Sequence, residues 1–504
     1  MISSTRAARA LVSAIAALFV IAPAATAAPD PNKVSSDLRH DVSVSGIREH
    51  LQALQNIATA NGGTRASGTP GFAASRDYVA GRLRAAGLNV SIQQFDFAFF
   101  RKTGPASFSR TSDDPDTAFT EGEDFNVMDY SGSGTATGAV QAVDVNFADP
   151  STITSGCEDS DFDTFVEGNI ALLQRGTCPF GDKVVNAQEA GASGAIMANQ
   201  GNGGPDRTDL FAGTLGAPVQ IPAISVSFAF GQELSAAGTT ASITTQTESE
   251  VRPTWNVIGD MAAKKGKKAG KTVVVGAHLD SVVEGPGIND NGSGTATILE
   301  IAEQLDRPAN PVRFAFWGAE ESGLLGSEHY VASLSEAQIA EIGLNLNFDM
   351  LGSPNFARFV YDGDGSITPD DPDDGGPAGS AEIEQVFLSY FGSQRLATEP
   401  TAFDGRSDYG PFIAAGIPAG GLFSGAEGIK SPAQVALYGG VAGEAYDRCY
   451  HQACDTLSNI NYVGLDQLSD GAAHAVAVYA YEKSGKGKGN PKREGARKGT
   501  HFQR

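Results

Sequence analysis

Residues 272–305 read TVVVGAHLDSVVEGPGINDNGSGTATILEIAEQL. The stretch opens on an unbroken apolar run over residues 272–276, expected of a strand buried on both faces. It closes with Ile298, Leu299, Ile301, Ala302 and Leu305 at helical spacing. Between the two lies a polar, glycine-rich turn carrying His278, Asp280 and Asp290. Buried strand, polar turn and amphipathic helix form the repeating unit of an α/β sheet. In such sheets, functional groups gather just beyond the carboxyl ends of the strands.

The unit recurs downstream. VRFAFWGA at 312–319 is followed by Glu320 and Glu321, and LNLNF at 344–348 by Asp349. Three strands thus deliver imidazole and carboxylate groups to one edge, a pattern that coincidence explains poorly. The expected fold is a mixed, mainly parallel central sheet flanked by helices.

With His451, the set His278, Asp290, Glu321, Asp349 and His451 offers two imidazoles and three carboxylates. That suits two zinc ions sharing one bridging carboxylate, with a coordination position left for water. Asp290, in a loop whose glycines permit a tight turn, is placed to lend one oxygen to each ion. Such binding lowers the pKa of water from about 15.7 to about 7, equivalent to roughly 12 kcal/mol, which neutral side chains do not match. Glu320 has the chemistry of the general base, and Asp280 is placed to orient the His278 imidazole.

Around this core the chain of 504 residues divides into segments. Residues 1–27 read as an export signal: Arg6 and Arg9, an apolar stretch at 10–22, then Ala25, Thr26 and Ala27 at the cleavage positions. Residues 28–95 are expected to start the catalytic domain, with a flexible lead-in to residue 45, helices over 46–60 and 72–86, and a strand over 89–95. Residues 96–250 alternate short β-like runs with turn residues and read as an inserted β-rich module. Residues 251–482 form the main part of the catalytic domain. The tail over 483–504 carries eight Lys or Arg against one Glu, lacks core residues and is expected to be disordered. Asp362 and Asp364 open an Asp, Gly and Pro-rich loop, but Ile367 stands where a calcium-binding EF-hand requires glycine, so a solvated loop is expected.

The net charge of −23 argues against nucleic acid as a partner. No internal apolar run is long enough to span a bilayer. Four cysteines in an exported chain point to two disulfides. Connectivity is open, with spacing favouring the local pairs Cys157 with Cys178 and Cys449 with Cys454. A bridge of the second kind encloses His451.

The blocks HLDSVVEGPGINDNGSG, WGAEESGLLGSEHY, LNFDMLGSPN, FDGRSDYGPF and DRCYHQACDTLSNI resemble the co-catalytic di-zinc aminopeptidases, which include secreted bacterial leucine-type enzymes and aminopeptidase Y. The resemblance covers residues 46–95 and 254–481 and implies a zinc-exopeptidase-like fold. It implies that His278 and Asp349 hold one zinc, that Glu321 and His451 hold the other, that Asp290 bridges them and that Glu320 is the base. It also implies that Arg406 lies near the substrate with Asp408 in support, and that Tyr450 polarises the scissile carbonyl. Met350 and Phe423 would line the pocket for the first side chain. Asp41, Asp466 and Asp470 match acidic ligands of a calcium site in relatives. GNIALLQRG at 168–176, Cys178 to Phe180 and AGASGA at 190–195 resemble a protease-associated domain, implying a substrate-access or interaction module.

The function expected is a secreted aminopeptidase with two zinc ions and possible calcium, acting on peptides or proteins with free N-termini, with large hydrophobic first residues favoured. It is expected to be a monomer with no membrane partner. A carboxypeptidase on the same scaffold requires basic residues gripping a C-terminal carboxylate, and Arg406 alone does not decide between the two. A glutaminyl cyclase usually needs one zinc rather than a pair. A non-enzymatic binding protein would keep full function as Glu320→Gln.

Overall fold

The computed structural model describes residues 31–264, 269–368 and 375–482. The expected export signal and basic tail lie outside these residues.

Two eight-stranded sheets organise the chain. The first runs in the spatial order Asn89–Lys102, Thr247–Met261, Val312–Trp317, Thr272–His278, Ile342–Phe348, Ala419–Phe423, Phe359–Tyr361, Glu399–Thr401. Its centre is parallel: Thr272–His278 lies between Val312–Trp317 and Ile342–Phe348, and Ile342–Phe348 pairs onward with Ala419–Phe423. The antiparallel pairs lie toward the flanks.

The side-chain alternation of each central strand explains its place. Val273, Val275 and Ala277 pack on one face with Phe314, Phe316, Leu344, Leu346 and Phe348. Val274 packs on the other with Ala315, Trp317 and Phe412. Both faces are covered, as an apolar run without polar alternation requires. The first face is covered by the helices Val44–Ala60, Gly292–Gln304, Ser380–Ser393 and Tyr462–Tyr481. Local signals start several of them: Ser43 Oγ accepts from Gly46 N at 3.1 Å, and Asn291 Oδ1 accepts from Gly294 N at 2.9 Å. At Gly294 a Cβ would stand 2.2 Å from Phe348 O, so only glycine lets this helix approach the strand end so closely.

The second sheet is built from residues 107–245, the segment between Asn89–Lys102 and Thr247–Met261. Its strands Ile170–Gln174 and Gly194–Ala198 alternate between two cores, Ala171 and Leu173 in one, Ile170 and Leu172 in the other. The helix Phe180–Glu189 covers the first through Val184 and Ala187, and Leu234 of Phe228–Leu234 packs into the second. Cys157 and Cys178 are bonded to each other, as are Cys449 and Cys454. No helix among the described residues is long and apolar enough to cross a membrane.

Several expectations need correction. The lead-in is not flexible throughout, because Pro31–Asp41 is a helix. Leu38 and Val42 enter the main core, and Ser35 Oγ meets His474 Nδ1 at 2.7 Å. The strand expected over 89–95 runs on to Lys102, in unbroken register with Thr247–Met261 from Asn89↔Asp260 to Lys102↔Thr247. Phe95, Phe97 and Phe99 keep the alternation going by packing around Ala319, so the change of texture at residue 96 falls inside a strand. Asp362 is buried rather than solvated, accepting from Ser366 N at 3.0 Å and Ile367 N at 2.7 Å. Asp41 ends the helix Pro31–Asp41, and Asp466 and Asp470 lie one turn apart on Tyr462–Tyr481, the helix packed against it; Asp470 accepts from Tyr390 Oη at 3.3 Å.

Candidate metal centre

Three parallel neighbours carry the chemistry to one edge. His278 ends its strand, Glu320 and Glu321 follow the strand ending at Trp317, and Asp349 follows Phe348 directly. Asp290 comes from the turn before Gly292–Gln304, and His451 from the loop that Cys449 and Cys454 close.

The five side chains meet. His278 Nε2 stands 3.2 Å from both Asp349 Oδ1 and Asp290 Oδ1. His451 Nε2 stands 3.2 Å from Asp290 Oδ2 and 3.0 Å from Glu321 Oε2. Asp290 therefore turns one oxygen to each imidazole. Glu320 Oε2 lies 4.0 Å from His278 Nε2. Glu321 Oε1 is buried without a hydrogen-bond partner among the described residues. A buried carboxylate oxygen left unpaired costs free energy unless something cationic faces it.

Electrostatics point the same way. Burial pushes Glu320 well above the ordinary carboxylate range, and the charges of Asp408, Glu321 and Asp349 add to this against the opposing His278. Burial, joined by Asp290, raises Glu321 to about 7. Burial also raises Asp408 to about 7. Burial works against a charge on His451, yet Asp290 and Glu321 raise it to about 10. For Asp290 the two imidazoles overcome burial and hold the carboxyl below its usual value. A buried site with more carboxylates than imidazoles needs positive charge, and divalent cations with N and O ligands fit it.

Supporting groups fix the donors. His278 Nδ1 lies 3.2 Å from the main-chain O of Asp280 and 3.7 Å from its Oδ1. The carbonyl thus holds the ring more closely than the expected carboxylate does. Ser407 Oγ donates to Asp349 Oδ2 at 2.6 Å. Asp455 accepts from the main-chain N–H of Asn289 at 2.9 Å and of Asp290 at 3.0 Å.

Arg65 is fully buried beneath the turn, donating to Leu279 O, to Pro286 O at 2.8 Å and to Gly287 O at 2.5 Å. Burial lowers it to about 10 against the pull of Asp280, Asp455, Asp290 and Glu321. Sequence reading missed Arg65, Ser407 and Asp455. Asp455 sits beside Cys454, a usable signal. Arg65 lies in a loop of small residues far from every other site residue, and nothing there marks it.

A cavity of about 80 Å³ opens on the centre. Met350, Tyr361 and Phe423 line it beside the candidate ligands, as do Arg406 and Tyr450. Tyr450 Oη accepts from Arg406 Nη2 at 3.2 Å, and its ring stacks on His451 with centroids 3.8 Å apart. Burial and then Asp290 and Glu321 raise the Tyr450 phenol, which keeps its proton. Arg406 also donates to Glu427 Oε1 at 2.7 Å. Asp408 is fully buried behind the centre and does not reach the cavity.

Residues 256–476 match the model of peptidase family M28, and residues 140–234 match the PA domain. An aminopeptidase of Pseudomonas aeruginosa is 46% identical over 439 residues, covering 86% of this chain and 80% of that protein. Leucine aminopeptidase 2 of Trichophyton rubrum is 45% identical over 339 residues, 66% of each chain. A zinc aminopeptidase from Bacillus subtilis shares the fold with a TM-score of 0.57 at 24% identity, covering 88% of this chain and 97% of that one. The match of sequence, fold and inserted module together means that this chain belongs to peptidase family M28, among its aminopeptidases, and carries a PA domain.

Proposed function

We propose that the chain is a secreted aminopeptidase that removes single N-terminal residues, large hydrophobic ones by preference, using two zinc ions and Glu320 as general base. The observation carrying this reading is Asp290, whose Oδ1 and Oδ2 each lie 3.2 Å from a different imidazole. His278 and Asp349 would hold one ion, Glu321 and His451 the other, with Asp290 between them. Zinc as the metal draws support from the donor set of imidazole and carboxylate and from the zinc aminopeptidase of like fold. Bound zinc supplies Lewis acidity, which polarises the scissile carbonyl and acidifies water.

The chain's own groups do the rest. Glu320 accepts a proton from the attacking water and delivers it to the leaving amine. Tyr450 keeps its proton and donates a hydrogen bond to the carbonyl oxygen as charge develops there. Arg406 holds Tyr450 in place. The free α-amine of the substrate is received near Glu320 and Asp349. Met350, Tyr361 and Phe423 form an apolar wall for the first side chain, and a relative named for leucine supports that preference.

Secretion is supported by the export-like N-terminus and by two formed disulfides. The proposed domain division keeps residues 28–95 and 251–482 as one catalytic unit around the insertion. Release of leucine from Leu-p-nitroanilide, compared with an N-acetylated peptide of the same sequence, tests the reading. Cleavage of the first and not the second is expected. Cleavage of the blocked peptide with the free amine ignored would overturn it.

A further inference from the structure

A second and larger cavity, of about 420 Å³, lies beside the metal centre. Glu321 lines both cavities. The larger one is bounded on one side by Glu321 and on another by the inserted module. Its walls come from the first sheet at Phe97, Phe99 and Phe100, from the turn at Val282 to Glu284, and from the inserted module at Asp129, Tyr130 and Thr214. The inserted wall is firmly held. Asp129 N donates to Gly213 O at 2.9 Å, and Leu215 N donates to Asp129 O at 3.0 Å. Ser249 Oγ donates to Tyr130 O at 2.8 Å. Tyr130 sits at φ 67, an unusual conformation for an aromatic residue, and its ring packs 5.7 Å from that of Phe100.

The chemistry of the walls is uneven. Aromatic and aliphatic groups make up much of the surface, while the charged groups lining it, Asp129, Asp280, Glu284 and Glu321, are all acidic. Lys102 is close enough to lower the proton affinity of Asp129, but burial and the charge of Glu284 outweigh it. Lys102 itself pairs with Glu121.

We propose that this cleft binds the part of the peptide beyond the cleaved bond, favouring apolar second and third residues and disfavouring a free carboxylate there. The proposal rests on the aminopeptidase reading. An N-terminal exopeptidase places one residue before the scissile bond and all others after it. The cavity of Met350 and Phe423 takes the first, so the remainder leaves on the opposite side of the ions, where Glu321 stands. Past the metal centre, the charged groups that line this path are Asp129 and Glu284, and a carboxylate arriving beside them is disfavoured by like charge. Dipeptides are therefore poorer substrates than longer or amidated peptides, and the inserted module acts as a specificity element.

The test compares kcat/KM for Leu-Phe-amide, Leu-Gly-amide and free Leu-Phe, each divided by that for Leu-p-nitroanilide. The parent chain is expected to rank them in that order. Tyr130→Ser is expected to narrow the preference of Phe-amide over Gly-amide by up to about tenfold, the size of an aromatic contact. Asp129→Lys is expected to raise the free dipeptide relative to its amide by about fivefold, the size of a good exposed ion pair. A gain of this kind does not arise from misfolding. If both variants leave these ratios unchanged while the nitroanilide is cleaved, the cleft proposal is overturned and the aminopeptidase reading stands. If the parent chain cleaves none of the substrates, both fall.

Discussion

Asp280 Oδ1 accepts from the main-chain N–H of Glu320 at 3.3 Å. Two residues that follow adjacent parallel strands are thereby tied, which fixes the backbone of Glu320 beside the His278 imidazole. Asp280 thus positions the backbone of Glu320 as well as the ring it follows.

Glu320→Gln is expected to keep its metal and lose turnover by about 10²–10⁴, the usual share of acid–base catalysis. The fall should appear in kcat with KM little changed. Burial and neighbouring carboxylates raise the Glu320 proton affinity. A base must be ionised, so parent activity should decline toward acid pH as Glu320 takes up a proton, and the residual activity of the variant should lack this limb. Metal analysis with pH–rate profiles of both proteins checks the pair of claims.

Arg65→Met is expected to destabilise the fold by about 3 kcal/mol or more, since each buried group left without its partner costs about 1–3 kcal/mol. The carbonyls of Leu279, Pro286 and Gly287 would lose their donor. Arg65→Lys should rescue little, because one ammonium does not reproduce the planar fork. Urea unfolding of the three proteins measures the difference.

His451 adopts φ 57, a left-handed conformation that costs a β-carbon-bearing residue about 1–2 kcal/mol. The bond between Cys449 and Cys454 closes the loop that holds it there. Replacing both cysteines by serine should lower turnover roughly tenfold by freeing His451 to leave its working conformation. Thermal stability of the main core should change little. Activity and melting temperature, measured together, separate the two effects.

His474 is lowered to about 4 by burial and then by Arg39. An unfolded histidine titrates near ~6.5. The folded state thus prefers the neutral ring, and the unfolded state binds the proton first. Its contribution to stability is complete above about pH 6.5 and is lost as pH falls through 4. The N-terminal helix Pro31–Asp41 docks here through Ser35. His474→Gln should flatten that part of the stability profile, as followed by urea midpoints between the two values.

Much of the site was legible because its residues stand at places the chain marks. His278, Glu320, Glu321 and Asp349 each follow an apolar run, and a run buried on both faces announces both the strand and its end. His451 was marked by the cysteines around it. Arg65 was not legible, since its role depends on carbonyls more than 200 positions away, a relation that exists only after folding. The strand Asn89–Lys102 ran past its expected end for a similar reason. Its outer half pairs with residues 247–254 while Phe95, Phe97 and Phe99 continue the alternation into a separate apolar cluster with Ala319, contacts that form only on folding. Asp41 and the pair Asp466 and Asp470 stand on helices from opposite ends of the chain that pack together, a relation that local spacing does not reveal.

The proposed chemistry requires two metal ions, held by side chains from distant parts of the chain. Zinc per chain, measured in the purified protein and in His451→Ala alongside leucine release, tests it most directly. Two zinc ions in the parent, one in the variant, and loss of release in the variant and after chelation are the expected results. Undiminished leucine release from chelator-stripped protein, or two zinc ions retained by His451→Ala, would contradict the account.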